Sequence, residues 1–128
     1  MTFDLANLDT GKTAEEGVWM ELEHPATNEP LGMKLKVLGV DSEQYQKALR
    51  KQQDRRLKRG MRKVKSAELE NEGIELLAQC VTEWEGFTYN KKELECNLEN
   101  VRWFLKTYKW AKDQIDDFIG DRSNFLPA

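Results

Sequence analysis

The strongest constraint on the fold is an alternation of apolar and polar residues that occurs twice between residues 17 and 40. Apolar side chains occupy every second position of each run: Val18, Met20 and Leu22 in the first, and Leu31, Met33, Leu35 and Val37 in the second. The intervening HPATNEP has the composition of a turn, so a β-hairpin with a long loop is predicted. Its solvated face would set opposite charges across the strands: Glu21 and Glu23 against Lys34 and Lys36. Because a two-stranded sheet is marginally stable in water, the apolar face must lie on helices.

From residue 41 onward the apolar spacing changes to that of helices. Asp41 with Gln44 predicts an N-terminal capping pair, and Gly60 predicts a bend or break near residues 60–66. A sparse apolar stripe follows this first helix: Tyr45, Leu49, Leu57, Met61 and Val64. A second helix is predicted over residues 66–84, with apolar residues at spacings of three to five: Leu69, Ile74, Leu77, Val81 and Trp84.

Two further helices are predicted after the interruption EGFTYNKKELEC. Asn97 is the expected cap of the first, which has apolar residues at helical spacing: Val101, Phe104, Leu105 and Tyr108. The last has one apolar face: Ala111, Ile115, Phe118 and Ile119. The sequence therefore predicts an α+β fold, mainly α, in which an N-terminal β-hairpin packs on a bundle of about four helices.

One domain is expected over residues 1–128, because this length supports one modest core. It would consist of an N-terminal arm (1–16), the hairpin (17–40) and a helical part (41–128). The arm has three candidate anchors: Phe3, Leu5 and Leu8.

Residues that could support catalysis or bind a cofactor are scarce. Cys80 and Cys96 have no C-x-x-C spacing, and His24 is the single histidine, so neither a disulfide framework nor a zinc site is expected. The TGKT of residues 10–13 lacks the earlier glycine and the strand of a phosphate-binding loop. The aspartates of the last helix are expected to form a solvated face: Asp113, Asp116, Asp117 and Asp121. We therefore expect a protein that is not an enzyme and that uses no cofactor or metal.

The sequence also bears on where the protein acts. It has no apolar run of about 18 residues, so no membrane span is expected. The first residues, MTFDLANLDTGK, lack the basic start and apolar middle of a secretory signal. The expected location is the cytoplasm, where both cysteines would stay reduced.

Charge is concentrated in residues 47–65, which carry ten of the twenty Lys and Arg residues and one acid. That segment sums to +9 and the rest of the chain to −12, since the net charge is −3. Its candidate basic patch comprises Arg50, Lys51, Arg55, Arg56, Lys58, Arg59, Arg62 and Lys63. Such a patch could bind nucleic acid, but the positive charges lie all round the helix and the rest of the chain repels a polyanion. A solvated helix or one that binds an acidic protein surface is favoured.

Large apolar residues of the second half of the chain are the candidate partner-binding residues, because aromatic rings are common anchors of cores and interfaces. They are Trp84, Trp103, Phe104, Trp110, Ile115, Phe118, Phe125 and Leu126. Phe125 and Leu126 follow the polar break GDRSN, which can end a helix and reverse the chain. We expect this pair to fold back and close the core, with docking to a partner as the alternative.

Three short motifs are similar to those of the small tail assembly chaperones of long-tailed bacteriophages. They are FDLANLDT near the start, HPATNEPLG between the two predicted strands, and QIDDFIGDRSNFL at residues 114–126. The likeness covers roughly the first 40 and the last 35 residues. Where the family has a Tyr-Pro-Trp-like turn before the last helix, this chain has Tyr108, Lys109 and Trp110.

The resemblance implies a non-enzymatic protein of the host cytoplasm that is absent from the finished virion. Such chaperones bind the long helical tape measure protein and keep it soluble until tail tube subunits polymerise around it. In several relatives a programmed frameshift adds a second domain that engages the tail tube protein. Helix-in-groove binding is the expected mode, and a homo-oligomer is an open expectation. The alternatives are a nucleic-acid-binding regulator and a structural head or tail connector of the virion.

Overall fold

The structure is a computed structural model, and it describes residues 2–60 and 65–127. Within these residues there are five α-helices: α1 (Thr10–Glu16), α2 (Glu43–Arg59), α3 (Ser66–Cys80), α4 (Leu98–Thr107) and α5 (Lys109–Gly120). The strands are β1 (Val18–Glu23), β2 (Pro30–Val37), β3 (Val81–Glu85), β4 (Thr88–Tyr89) and β5 (Lys92–Glu93). Short 3-10 helices span Leu5–Leu8 and Arg122–Phe125. The predicted fold class is confirmed: the chain is mainly helical, and an N-terminal hairpin packs on the helices.

The predicted hairpin is formed by β1 and β2, which pair antiparallel with Met20 opposite Leu35. Its apolar face is buried as expected, with Leu22 and Leu35 fully inaccessible to solvent. Glu21 lies opposite Lys34 across the strands, but its carboxylate accepts a hydrogen bond from the Gly32 N–H at 2.8 Å. The hairpin therefore forms for the reason the alternation predicts, which is burial of one face.

The prediction that the second helix extends to Trp84 is wrong. Helix α3 ends at Cys80, and Val81–Glu85 forms strand β3, which pairs antiparallel with β2. The physical reason is that β2 has a second edge to satisfy, and the β-branched and aromatic residues of this segment suit a strand. Trp84 lies opposite Leu35, and Lys36 lies 3.8 Å from Glu83. The sheet consequently has three strands in the order β1-β2-β3.

The N-terminal segment contains a helix that the sequence reading did not predict. Asp9 caps α1 by accepting a hydrogen bond from the Gly11 N–H at 2.9 Å. The proposed anchors are wrong, since Phe3 and Leu5 are 72% and 82% exposed and Leu8 is also exposed. Ala14 is buried instead and attaches α1 to the core.

Helices α2 and α3 pack against each other, but the C-terminal half of α2 and the N-terminal half of α3 extend beyond the core. The cap of α2 is Ser42 rather than Asp41, and the helix ends as predicted at Gly60, whose φ is 71°. Leu57 is 79% exposed, whereas Gln52 is buried and donates a hydrogen bond to the Glu72 carbonyl at 2.8 Å. Tyr45 and Leu49 of the predicted α2 stripe are half-buried, and Met61 and Val64 lie outside the described residues.

Helix α4 is capped by Asn97, as predicted, and a single residue separates it from α5. Beyond α5 the chain turns back, and Phe125 is buried with its ring centroid 5.8 Å from that of Phe118. The Asn124 amide holds this turn by donating to the Phe118 carbonyl at 3.0 Å. Core closure by Phe125 is therefore confirmed. Leu126 departs from the prediction, because it remains 42% exposed.

Candidate partner-binding site

Three aromatic rings in contact connect the sheet to α4: Trp84, Phe87 and Phe104. The ring centroids of Trp84 and Phe87 lie 4.2 Å apart with nearly parallel planes, and Phe104 meets Phe87 edge-on at 5.1 Å. The indole N–H of Trp84 donates to the Leu94 carbonyl at 2.8 Å. Phe87 and Phe104 are buried, so these rings form a fixed wall of the core.

A second set of rings extends this wall to the surface. The rings of Tyr89 and Trp103 meet edge-on at 5.0 Å, those of Trp103 and Tyr108 at 5.8 Å, and those of Tyr108 and Trp110 at 6.4 Å. Tyr89 is 48% exposed, and the other three are half-buried. The aromatic surface is therefore continuous from the core to solvent.

Rings of both sets line a cavity of about 150 Å³ that is open to solvent, and we call it the aromatic pocket. Phe87 and Phe104 lie at its floor, Trp103 and Trp110 in its walls, and Tyr89 at its rim. Apolar cavities of about 150 Å³ can hold a benzene-sized group. The pocket can accept one large apolar side chain from another molecule.

The β4–β5 hairpin that carries the rim was not predicted, because the sequence EGFTYNKKELEC reads as a break in the helical pattern. Its turn places Asn90 and Lys91 at φ values of 51° and 67°. Left-handed residues at both turn positions are typical of a two-residue hairpin loop, but Asn-Lys is a weaker signal for it than Asn-Gly. The alternation of Phe87 and Tyr89 around Thr88 was the available clue.

The structure separates the candidate partner-binding residues into three groups. Trp103, Phe104 and Trp110 line the aromatic pocket, although Phe104 does so from the buried floor. Ile115 and Phe125 are buried in the core and are not accessible to a partner. The remaining candidates lie outside the pocket lining: Trp84 and Phe118 are half-buried, and Leu126 is exposed.

Two arginines of the basic patch are engaged within the protein. Arg59 lies 2.8 Å from Glu68, and Arg56 pairs with Glu72 of α3. The other described members of the patch are also exposed: Arg50, Lys51, Arg55 and Lys58. Arg62 and Lys63 lie outside the described residues.

Two further ion pairs tie helices and loops together. Arg102 donates to Glu75 at 2.9 Å, and this hydrogen bond lowers the pKa of the Glu75 carboxyl. Arg122 donates two hydrogen bonds to Asp41, at 2.8 and 3.0 Å, and Thr10 donates a third at 2.6 Å. These bonds hold the pKa of Asp41 below its usual value, the Arg122 contact first and the Thr10 contact second. Both pairs connect segments that are distant in sequence.

The candidate groups for catalysis or phosphate binding are buried, partly buried or hydrogen-bonded within the protein. Burial raises the pKa of the Cys80 thiol to about 12, and burial is also the main cause that raises the pKa of Cys96. The His24 Nδ1 accepts the Ala26 N–H at 3.1 Å within its loop. The Gly11 N–H of TGKT is bonded to Asp9, so it is not free to bind a phosphate.

Residues 2–60 and 65–127 contain no group of three or more His, Cys, Asp or Glu side chains arranged to hold a metal ion. In the same part of the chain, none of the helices has both the length and the apolar character that crossing a membrane requires. Comparison of the chain with protein-family models, with curated proteins and with solved structures finds no match in any of the three.

Proposed function

We propose that this protein is a tail assembly chaperone of a long-tailed bacteriophage, which binds an apolar helical segment of the tape measure protein and catalyses no reaction. The aromatic pocket is the observation that carries the proposal. The motifs FDLANLDT, HPATNEPLG and QIDDFIGDRSNFL supply the family, since they are similar to motifs of these chaperones.

The pocket suits an apolar anchor of a helix. Its floor is fixed by buried rings, so little side-chain entropy is lost when a partner binds. Its rim, at Tyr89 and Thr88, is exposed and opens to solvent. Large aromatic residues often contribute most of the binding energy at protein interfaces. A bound helix typically inserts its side chains at positions i, i+3, i+4 and i+7 into such a site.

Three lysines and one acid, Glu93, which pairs with Thr88 across the β4–β5 hairpin, lie next to the pocket, and this net positive charge favours a partner with acidic residues beside its apolar side chain. Lys92 pairs with Tyr89 across the β4–β5 hairpin, Lys106 follows Trp103 by one helical turn, and Lys109 precedes Trp110. All three lysines are exposed. Charges at the rim of an interface accelerate association and exclude wrong partners more than they add affinity.

The wider proposal follows from the same family resemblance. The chaperone would hold the tape measure protein soluble in the host cytoplasm, help to recruit tail tube subunits, and leave before the virion is finished. A form extended by frameshifting would supply the contact with the tail tube protein. Mass spectrometry of purified virions distinguishes this role from that of a structural connector, which would remain in the particle.

Co-expression with the tape measure protein tests the proposal. We expect the tagged chain to keep the tape measure protein soluble and to co-purify with it. Tyr89→Ala should weaken this binding at least about tenfold, since the truncation removes an aromatic contact worth about 2 kcal/mol or more. Thr88→Glu should also weaken it, because a carboxylate at the rim would repel acidic residues beside the partner's apolar side chain. Both positions are exposed, so the variants should fold, which circular dichroism can check.

Trp19→Ala is the matched control, because Trp19 is an aromatic residue of similar exposure, at 44%, on β1 and outside the pocket lining. It should bind the tape measure protein as the unmodified chain does. Failure of the folded, unmodified chain to bind the tape measure protein would contradict the function. Equal binding by the Tyr89 and Trp19 variants would contradict the site.

A further inference from the structure

Strand β1 is an edge of the three-stranded sheet, whose strand order is β1-β2-β3. In an antiparallel ladder, the N–H and C=O of one residue point to the same side of the strand, and successive residues alternate between the two sides. Lys36 of β2 faces β3, because its carbonyl accepts a hydrogen bond from the Thr82 hydroxyl at 3.1 Å. Lys36 lies opposite Trp19, and Lys34, on the same side of β2, lies opposite Glu21. The backbone groups of Trp19 and Glu21 therefore point away from β2, toward the outer edge.

One position of this outer edge is completed by a side chain. The Gln114 Nε2 donates to the Glu23 carbonyl at 2.9 Å, and the Oε1 of the same amide accepts the Glu23 N–H at 2.9 Å. These are the two bonds that a residue of an added strand would make. Among residues 2–60 and 65–127, nothing is bonded to the outward backbone groups of Trp19 and Glu21. The edge can therefore bind a main chain, and it is open over these two residues.

A groove runs beside this edge, between β1 and α5. It is a shallow depression of about 330 Å³. Glu21 and Glu23 line it on the side of β1, and Asp117 and Phe118 line it on the side of α5. Phe118 is half-buried and offers apolar surface, whereas the three carboxylates are exposed. An extended peptide can pair with the edge through its main chain while its side chains contact α5.

The charges beside the edge favour a basic peptide. The described lining of the groove holds no basic residue and four acidic ones: Glu21, Glu23, Asp117 and Asp121. A Lys or Arg residue opposite Glu21 would form a cross-strand pair of opposite charge on the solvent face of the sheet. Trp19 lies on the same face and is 44% exposed, so its ring can bind a neighbouring cation. Lys34 lies opposite Glu21 on β2, but the described residues show no ion pair between them.

We propose that the outer edge of β1 binds an extended segment of another protein, in which Lys or Arg alternates with apolar residues. The segment adds antiparallel to β1, as the other strands of the sheet pair. Its basic side chains lie on the solvent face beside Glu21 and Trp19, and its apolar side chains point toward Phe118. The described linings of this groove and of the aromatic pocket share no residue, so the site is independent of the proposed function.

This geometry determines which main-chain groups of the segment pair with β1. In an antiparallel pair, two residues that exchange hydrogen bonds carry their side chains on the same face. The residue that pairs with Glu21 is therefore one of the basic residues. It follows that the N–H groups of the basic residues face β1, whereas those of the apolar residues face solvent.

Calorimetric titration with a synthetic peptide of four Lys-Val repeats, blocked at both ends, tests the proposal. We expect a complex with a Kd below about 1 mM at physiological salt. The same peptide with N-methylated lysines should bind at least about tenfold more weakly, because the methyl groups replace the hydrogens that pair with β1. The peptide with N-methylated valines should bind as the unmethylated one does. A peptide of Glu-Val repeats should not bind.

Amide hydrogen exchange, followed by NMR, identifies the strand that the peptide covers. The Trp19 and Glu21 amides should exchange at least about tenfold more slowly when the Lys-Val peptide is bound. The Met20 amide faces β2 already, so its exchange should change little. Protection of the Trp19 and Glu21 amides that appears without peptide and rises with protein concentration would overturn the proposal, because a second copy of the chain would then fill the edge.

Substitutions that remove charge test the choice of a basic segment. Glu21→Gln with Glu23→Gln should weaken binding of the Lys-Val peptide at least about threefold, because two cross-strand attractions are lost. Asp113→Asn with Asp116→Asn is the control, since it makes the same change in charge at exposed positions of α5 outside the lining. Circular dichroism of both proteins confirms that they are folded.

Four further results overturn the proposal. They are a Kd above about 1 mM for the Lys-Val peptide, equal binding of the Glu-Val peptide, a control protein that loses as much affinity as the Glu21 and Glu23 variant, and N-methylated valines that weaken binding as much as N-methylated lysines do. The last result would show that charge attracts the peptide without strand pairing.

Discussion

Replacing Phe125 by alanine should be one of the most destabilising single changes in this protein. The side chain is 1% exposed, and its ring meets that of Phe118 edge-on at 5.8 Å. It also lies against the backbone of Gly39: a Cβ atom added there would be 3.1 Å from the ring. Burial of this side chain therefore joins α5 to the loop before α2.

The magnitude follows from the size of the cavity that the change leaves. Truncation of a buried phenylalanine to alanine typically costs about 3–5 kcal/mol. For a domain of 128 residues, about 1 kcal/mol lowers the melting temperature by roughly 3–5 °C, so the expected loss is about 9–25 °C. Leu126→Ala is the control, because this neighbour is 42% exposed and should change stability by less than about 0.5 kcal/mol.

Differential scanning calorimetry of both variants without any partner gives the answer. Urea denaturation should yield the same free-energy difference with an unchanged slope, if unfolding is two-state. A Phe125→Ala protein that melts within about 2 °C of the unmodified chain would refute the reasoning. So would a Leu126→Ala protein that is destabilised as much as the Phe125 variant.

Further predictions concern two glycines, an ion pair and the basic helix. Gly39→Ala should lower the free energy of unfolding by about 1–3 kcal/mol, because the new Cβ would lie 2.9 Å from that of Ala14. Gly73→Ala should raise the free energy of unfolding by about 0.5–1 kcal/mol, because Gly73 lies inside α3 and its Cβ would enter open space. Asp41→Asn should lower the melting temperature near neutral pH. Because the folded state holds the Asp41 pKa below 3.8, the difference in melting temperature from the unmodified chain should shrink as the pH falls through that lowered pKa. A difference that does not depend on pH would contradict the role of Arg122. DNA should bind α2 weakly and without sequence preference, at about 10⁻⁴ to 10⁻⁶ M at physiological salt, and a selective nanomolar complex in a filter-binding assay would contradict this.

The elements that the sequence predicted are those whose signals are local. Alternation and a turn-rich loop suffice for β1 and β2, and Asn97 followed by helical apolar spacing suffices for α4. Strand β3 was missed because Leu77, Val81 and Trp84 also have helical spacing. The free edge of β2 decides between the two states, and that edge exists only in the folded protein.

The aromatic pocket was predictable only in part. Trp103 and Trp110 were candidates because large rings are common anchors. Their convergence with Tyr89 depends on the β4–β5 hairpin, which reaches them through tertiary contacts and not through sequence spacing. Ile115 and Phe125 have the same residue character but are buried, and only the packing distinguishes them from the surface set.

The bonds between Asp41 and Arg122 affect the order in which the chain can fold during synthesis. The two residues are 81 positions apart, and Gln114 is bonded to the backbone of Glu23 over 91 positions. The N-terminal hairpin therefore gains its final contacts only after residues 114–125 have been made. Contacts of such long sequence separation slow folding, because the connecting chain must be closed first. On the ribosome, the apolar face of the hairpin is expected to stay partly uncovered until residues 114–125 have emerged, so an aggregation-sensitive interval precedes their synthesis.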